Sequence, residues 1–447
     1  MVGESESAES EATVRVSPEI PVTPSFVVDQ PTLRRFCDRF QRALTTHWPN
    51  SILAYSFKTN SLPWLIGYMR DRGAWAEVVS DTEYELALAL GYSPDRIVFN
   101  GPVKGRERLR AALVDGSVVN LDSHREVRWA CELAQETPDR VYSVGLRVNW
   151  DLEARCPGES ATADEGGRFG FTVDNGDFDA ALAALRTAGV RAAGIHLHVS
   201  SLTRSVDVFR AAATVAAELI SLRGLRLDFV DIGGGFFGSE DPGAPTFDRY
   251  IEAIREALGE AVDPERTRLI VEPGACLIAV PVEFCTSVVD VKTVGPHTVV
   301  VTDGSRSSID PTYRRQMPYE YTLETSAEAT ADHQIISGFT CMEHDRIMRL
   351  RQAPALAEGD RVIYSKVGAY SMCFQPLFIE YLPAVYVRDE LGALTLVRKP
   401  WGVEEYLQGN SLYEAPADVD PPADRHGAAD RETTSKASLR TEATPVS

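Results

Sequence analysis

The chain has 447 residues, 44% hydrophobic and 25% charged, enough to bury a large core and to fill more than one domain. Its 65 acidic against 45 basic side chains give a formal net charge of -20, which argues against a nucleic-acid or anionic-membrane surface, since such partners need a basic footprint. Small molecules are left as the natural partners.

The opening stretch "MVGESESAESEATVRV" is acidic and Ser-rich, without the charged-then-apolar pattern of a signal peptide. No stretch approaches the ~20 apolar residues of a membrane span. The cysteines at 37, 131, 156, 276, 285, 341 and 373 are odd in number and scattered, with no C-x-x-C pair. That pattern speaks against a disulfide framework or a thiolate zinc site and for a reducing, cytoplasmic setting. Residues 1–20, and 411–447 at the other end, hold too few large apolar side chains to repay ordering, so both are expected to be disordered.

Residues 21–50 read as a lead-in segment that pairs with a later β domain. From 51 to 275, short β-branched runs alternate with amphipathic helical stretches, the pattern of βα units and a parallel sheet. The strand-like runs are "ILAYSF" (52–57), "AWAEVVS" (74–80), "RIVFNG" (96–101), "SVVNLDS" (117–123), "YSVGLRVN" (142–149), "AGIHLHVS" (193–200), "LDFVDIGG" (227–234) and "RLIVEPG" (268–274). Between them "DTEYELALALG", "HREVRWACELAQ", "DFDAALAALRTAG" and "SVDVFRAAATVAAELISLRG" carry apolar residues at helical spacing, several ending in a Gly stop. Eight such units predict a TIM (β/α)8 barrel. Over 276–410 the texture changes to "VEFCTSVVDVKTV", "HTVVVTDG", "RVIYSKVGAYS" and "FIEYLPAVYVRDE", which predicts a second, all-β domain of barrel or sandwich type.

Barrel chemistry sits at the C-terminal ends of the strands. Lys58 follows the first strand, "HLHVSS" ends the sixth, "DIGGGF" the seventh and "VEPG" the eighth, so these should converge at one mouth. Each has a plain alternative. A lysine at a strand end is ordinarily solvated, but the apolar run before Lys58 predicts burial, which would lower its pKa and free its amine for a carbonyl. A Gly run can be a flexible turn or a phosphate cradle. His196 and His198 share a strand face and can be metal ligands or core histidines, with no second histidine cluster to favour a metal. Glu272 can be a structural ion-pair partner. Together, an amine, a phosphate cradle, an imidazole and a carboxylate are what pyridoxal phosphate requires.

These residues resemble the fold-type III pyridoxal-phosphate decarboxylases, which include the ornithine, arginine and diaminopimelate decarboxylases, over residues 25–390. "YSFKTN" matches the family's Y-x-x-K-x-N motif and implies Lys58 as the Schiff-base lysine. "HVSS" matches H-x-G-S, with Ser200 in place of the glycine, and implies His198 as the imidazole stacked on the cofactor and Ser201 as a phosphate contact. Gly234 and Gly235 are then phosphate ligands, and Glu272 of the E-P-G motif, which ends at Gly274, is the partner of the pyridine nitrogen. "RFG" at 168–170 resembles a further family element. "CMEHD" matches a C-x-x-x-D motif and implies Cys341 as a proton donor reaching the partner's site in a homodimer with shared active sites. "GAYS" places Tyr370 on the phosphate.

The resemblance implies a carboxy-lyase acting on an amino acid. It departs from the best-known members where substrate is chosen. The residue after the motif cysteine, an acid that receives a distal ammonium, is Met342 here, leaving Glu343 as the neighbouring carboxylate. The arginine that follows E-P-G in diaminopimelate enzymes is Ala275. Arg306, Arg314 and Arg315 in "SRSSIDPTYRR" are candidate anion contacts. These losses point to an unusual substrate from specialised biosynthesis, free or carrier-tethered. The rival readings are a pyridoxal-dependent racemase or epimerase, a non-catalytic pyridoxal-binding homologue, and a metal-dependent barrel hydrolase.

Overall fold

A computed structural model describes residues 15–16, 21–162, 165–315 and 317–413. The two segments expected to be disordered lie, apart from residues 15–16 and 411–413, outside the described residues. The chain divides into two compact units, Met1–Gly402 and Val403–Ser447; the described part of the second contains the short helix Val403–Leu407.

The first unit opens with β1 (Arg15–Val16) and β2 (Ser25–Asp29), then a helix, Gln30–His47, capped by Asp29 accepting from Thr32 N–H at 3.0 Å. The barrel follows. Its strands are β3 (Ser51–Ser56), β4 (Trp75–Val78), β5 (Ile97–Phe99), β6 (Val118–Leu121) and β7 (Ser143–Asn149), then, after the two-residue β8 (Phe171–Thr172) on the flank of β7, β9 (Arg191–His196), β10 (Phe229–Asp231) and β11 (Arg268–Val271). All neighbours are parallel; β11 pairs with β3 and β6 with β7, which closes the ring of eight.

Each predicted strand is present. Most stop several residues early, where the chain leaves the ladder to present polar side chains. The intervening helices keep their sequence signals. In the helix after β4, Ser80 caps the backbone N–H of Glu83 at 3.1 Å while Glu83 accepts from Val79 N–H at 2.8 Å. The helix Val206–Arg223 ends on Gly224 at φ 57°, the left-handed cap that glycine makes cheaply.

The second sheet runs β1-β19-β18-β2-β12-β13-β15-β16, with β17 joining β12 to β14. Its later strands are β12 (Val282–Val294), β13 (His297–Thr302), β14 (Glu320–Glu324), β15 (Thr330–Ser337), β16 (Arg346–Pro354), β17 (Arg361–Ser365), β18 (Ala384–Arg388) and β19 (Leu394–Arg398). β2 lies between β12 and β18, antiparallel to one and parallel to the other, so the segment before the barrel is built into this sheet. Two predicted runs are cut short. "RVIYSKVGAYS" leaves the ladder after Ser365, where Lys366 and Tyr370 take positive φ, and "FIEYLPAVYVRDE" pairs only after Pro383, which has no N–H to donate. Among the described residues no helix is long and apolar enough to cross a membrane.

Inside the barrel the inward-facing row of each strand changes character. Towards the N-terminal end Ile52, Ala54, Val98, Phe229 and Ile270 pack together, with Trp75 and Val118 against them. Two residues further along the same faces stand Ser56, Glu77, Asn100, Asn120, Asp231 and Glu272. Phe229 occupies room left by two glycines: a Cβ on Gly194 would stand 2.2 Å from its ring, and one on Gly145 3.0 Å. Gly194→Ala should therefore displace Phe229 and destabilise the barrel by about 1–3 kcal/mol, and Phe229→Leu should recover part of that loss. Urea unfolding of the single and double variants checks this; an undiminished midpoint for Gly194→Ala would remove the packing argument.

Candidate active site

Lys58 lies in one turn of 3-10 helix, Phe57–Thr59, directly after β3. The turn is held from both sides. Below it, the Tyr55 hydroxyl donates to Asn60 O at 2.9 Å; above it, Asn60 Nδ2 donates to Gly368 O at 2.9 Å, and the Cys373 thiol contacts the carbonyls of Lys58 and Thr59 at 3.3 Å each. Lys58 Nζ meets Glu77 Oε2 at 2.6 Å and Ser56 Oγ at 2.9 Å. Its side chain is 34% exposed, towards the cavity, whereas Glu77 is buried. Burial pulls the ammonium down, but the carboxylates of Glu77 and Glu272 outweigh it, and the pKa of Lys58 is raised. The sequence predicted the opposite sign because the lysine's counter-ion comes from the next strand.

From Glu77 a hydrogen-bonded ring runs round the mouth. Asn100 Nδ2 bridges Glu77 Oε1 at 3.0 Å and Glu272 Oε1 at 2.5 Å. Asn120 Nδ2 then bonds Asn100 Oδ1 at 2.9 Å and Asp231 Oδ2 at 3.0 Å. Two buried carboxyls cannot both ionise cheaply so close together. Burial and the charge of Glu272 push Asp231 well up, which keeps it protonated. Burial acts on Glu272 in the same direction, yet His196, with Nε2 3.5 Å away, and Lys58 outweigh it and hold Glu272 below the usual carboxylate range. The site thus keeps one fixed negative charge at Glu272.

The cavity above this ring has a volume of about 250 Å³. Lys58, His198, Glu272 and Tyr370 line it, with Ser201 and a wall of Gly234 and Gly235. Side chains are excluded from that wall: a Cβ on Gly234 would stand 2.4 Å from the Glu272 carbonyl, one on Gly233 2.6 Å from His198 Cβ, and Gly235 has φ 99°. His198 Nδ1 accepts from Gly234 N–H at 3.2 Å, which fixes a neutral ring. Burial, then the nearby Arg147 guanidinium, pushes its pKa down to about 3. Tyr370 enters from the segment after β17, its N–H bonded to Thr59 O at 2.9 Å. An amine, a carboxylate, a flat neutral ring and a glycine wall fit a pyridine aldehyde bearing a phosphate, the group the motifs imply.

Ala275 and Gly274 also line the cavity, whereas Cys341, Met342, Glu343, Arg306 and Arg314 do not. Cys341 is exposed, on the loop between β15 and β16. Asp345 organises that loop, accepting from Thr340 Oγ1 at 2.6 Å and from Arg306 N–H at 2.9 Å. Glu343 is 98% exposed with Arg346 3.8 Å away. Arg306 is tied to Asp310 at 2.8 Å and Arg314 is exposed. The motif reading omitted Glu77, Asn100, Asn120, Asp231 and Arg147, and it gave His196, weighed only as a metal ligand or core histidine, no part beside Glu272. Arg147 is buried, bonds His198 O at 3.1 Å and faces the Phe169 ring of "RFG" at 4.5 Å. The signal for all six was a lone polar residue on the inward face of an otherwise apolar strand.

Comparison with known proteins gives the same answer from a separate direction. Residues 32–279 match the pyridoxal binding domain of the pyridoxal-dependent decarboxylases, and residues 281–368 match the C-terminal sheet domain of the same family. A probable chloroplastic diaminopimelate decarboxylase of Oryza sativa subsp. japonica is 27% identical over 86% of this chain and 79% of its own. The diaminopimelate decarboxylase of Archaeoglobus fulgidus is 29% identical over 78% of this chain and 83% of its own. In fold the chain is similar to the crystal structure of diaminopimelate decarboxylase from M. jannaschii, with TM-score 0.76 and 22% identity over 90% of this chain and 93% of that one.

Glu77→Gln removes the largest influence raising Lys58, so its amine should become free at lower pH. Condensation of the apoprotein with pyridoxal phosphate, followed by Schiff-base absorbance, should then set in at lower pH than in the unaltered chain; coincident pH profiles would show that Glu77 is not the counter-ion. With two family domains matched in order over most of its length, the chain belongs to the pyridoxal-dependent decarboxylase family.

Proposed function

We propose that the chain removes the α-carboxylate of an amino acid, or of an amino-acid-derived intermediate, with Lys58 carrying pyridoxal phosphate. The observation that carries this reading is a single cavity bounded by the Lys58 amine, the ionised Glu272 and the Gly234–Gly235 wall. Pyridoxal phosphate, when bound, supplies a conjugated ring that takes up the electron pair left as carbon dioxide departs. The chain's own part is placement of charge. Glu77, 2.6 Å from Lys58 Nζ, is placed to take the lysine's proton when the free amine is needed and to return it. Glu272 stays negative, and so favours a proton on the ring nitrogen. Neutral His198 offers a flat face to the ring without competing charge, while Ser201, Gly234, Gly235 and Tyr370 receive the phosphate.

Cys341 acts in the neighbouring copy of a homodimer, donating a proton to the substrate carbon. Its place supports this: an exposed thiol on a loop braced by Asp345, outside its own chain's cavity. The seven free cysteines support a reducing, cytoplasmic setting.

The substrate lacks a distal ammonium of the lysine or ornithine type. Met342 has no charge to receive one, and Ala275 lines the cavity without a guanidinium for a distal carboxylate. The enzyme therefore serves specialised biosynthesis.

Two measurements test these proposals. Lys58→Ala should abolish carbon dioxide release and Cys341→Ala should impair it; after mixing and reassembly, heterodimers should regain up to about a quarter of full activity, because half the dimers then hold one intact shared site. No recovery from two folded variants would refute the shared site. Free diaminopimelate, lysine and ornithine should be turned over well below the ~10 s⁻¹ of an ordinary enzyme on its own substrate. Turnover of diaminopimelate at that rate would overturn the substrate proposal.

A further inference from the structure

The cavity lining holds a cation that neither the motifs nor the reading above has used. Arg204 lines the same cavity as Ser201, Gly235 and Ala275. Its backbone is fixed from several sides. The N–H donates to Ser201 Oγ at 3.2 Å and the carbonyl accepts from the Tyr250 hydroxyl at 2.6 Å. The flanking Thr203 N–H and Ser205 hydroxyl both bond Glu159, at 3.0 and 3.3 Å. Held in this way, Arg204 has φ 57°, a left-handed conformation that residues other than glycine seldom adopt. Such strain persists where the surroundings over-determine it, and it clusters at ligand sites.

The guanidinium itself is uncommitted: among the described residues it has no hydrogen bond or ion pair. Arg204 and Ala275 line the same cavity, and the charge of Arg204 partly offsets the upward push of burial on the neighbouring Cys276 thiol. Lys58 and Arg204 are the lysine and arginine of the cavity wall, and Lys58 is already matched by Glu77. A phosphate ester brings a charge of about -1.5 to -2. Glycine N–H groups and hydroxyls give it hydrogen bonds but no compensating charge, whereas a guanidinium gives both.

We propose that Arg204 is the phosphate-binding cation of this site, delivered by the loop after β9 to a wall that Ala275 leaves uncharged. The inference rests on pyridoxal phosphate occupying the cavity with its phosphate at the glycine wall. It is tested with the full-length apoprotein by titrating pyridoxal phosphate and pyridoxal, which lacks the phosphate, into the unaltered chain and Arg204→Asn. Asparagine tolerates the left-handed backbone, so the loop keeps its course. Arg204→Asn should weaken pyridoxal phosphate about 10- to 100-fold while leaving pyridoxal within about twofold, as loss of a charge-assisted contact requires. Unchanged affinity for pyridoxal phosphate, or equal loss for both ligands, overturns the role of Arg204. Failure of the unaltered chain to bind pyridoxal phosphate would instead remove the reading beneath it.

Discussion

The contact between Lys58 Nζ and Glu77 Oε2, at 2.6 Å, sets the conditions for the whole barrel mouth. A carboxylate as buried as Glu77 is costly unless its remaining lone pairs are met. The Ser56 hydroxyl and the Asn100 amide meet them. Asn100 then needs Asn120 for its own oxygen and reaches Glu272 with its amide, and Asn120 reaches Asp231. Glu77, Asn100, Asn120, Asp231 and Glu272 are thus joined in one hydrogen-bonded network, in which Asn120 Oδ1 alone of the amide oxygens is left without a partner among the described residues. The lower barrel contributes packing of another kind, the Phe229 ring set against Gly145 and Gly194.

Charge follows from the same arrangement. Three carboxyls stand in the network; burial and the charge of Glu272 push Asp231 up, while His196 and Lys58 hold Glu272 below the usual carboxylate range. Glu77 lies beside the amine and Glu272 beside His196. Two carboxylates in one network thereby take separate roles, the pattern by which enzymes assign acid and base functions through environment alone.

The barrel was legible in the sequence because eight β-branched runs alternate with helical stretches, and the motif residues fell at the strand ends where parallel barrels place them. Lys58, His198, Ser201, Gly234, Glu272 and Tyr370 do line one cavity. The ring beneath was harder to see. Glu77, Asn100 and Asn120 sit inside runs correctly read as strands, and only the phase of the pleat, counted back from Ser56, says that they face inward. Lys58 was assigned the wrong direction of pKa for the same reason: burial is local, but Glu77 comes from another strand. Arg204 carries no motif at all, and its meaning depends on a loop pinned by Glu159 and Tyr250. The loop of Cys341 is a matter of tertiary placement that no spacing encodes.

The turn that bears Lys58 is held on its upper side by the carbonyl of Gly368, the N–H of Tyr370 and the thiol of Cys373. Those groups lie about 310 residues further along the chain, which the ribosome adds in about 15–60 s at ~5–20 residues per second. The barrel's last strand ends at Val271, about 100 residues and so about 5–20 s before those groups are made. A growing chain passes through an interval in which the barrel strands have been made but the reactive amine is unfixed, and the arrival of the segment after β17 brings that interval to a close.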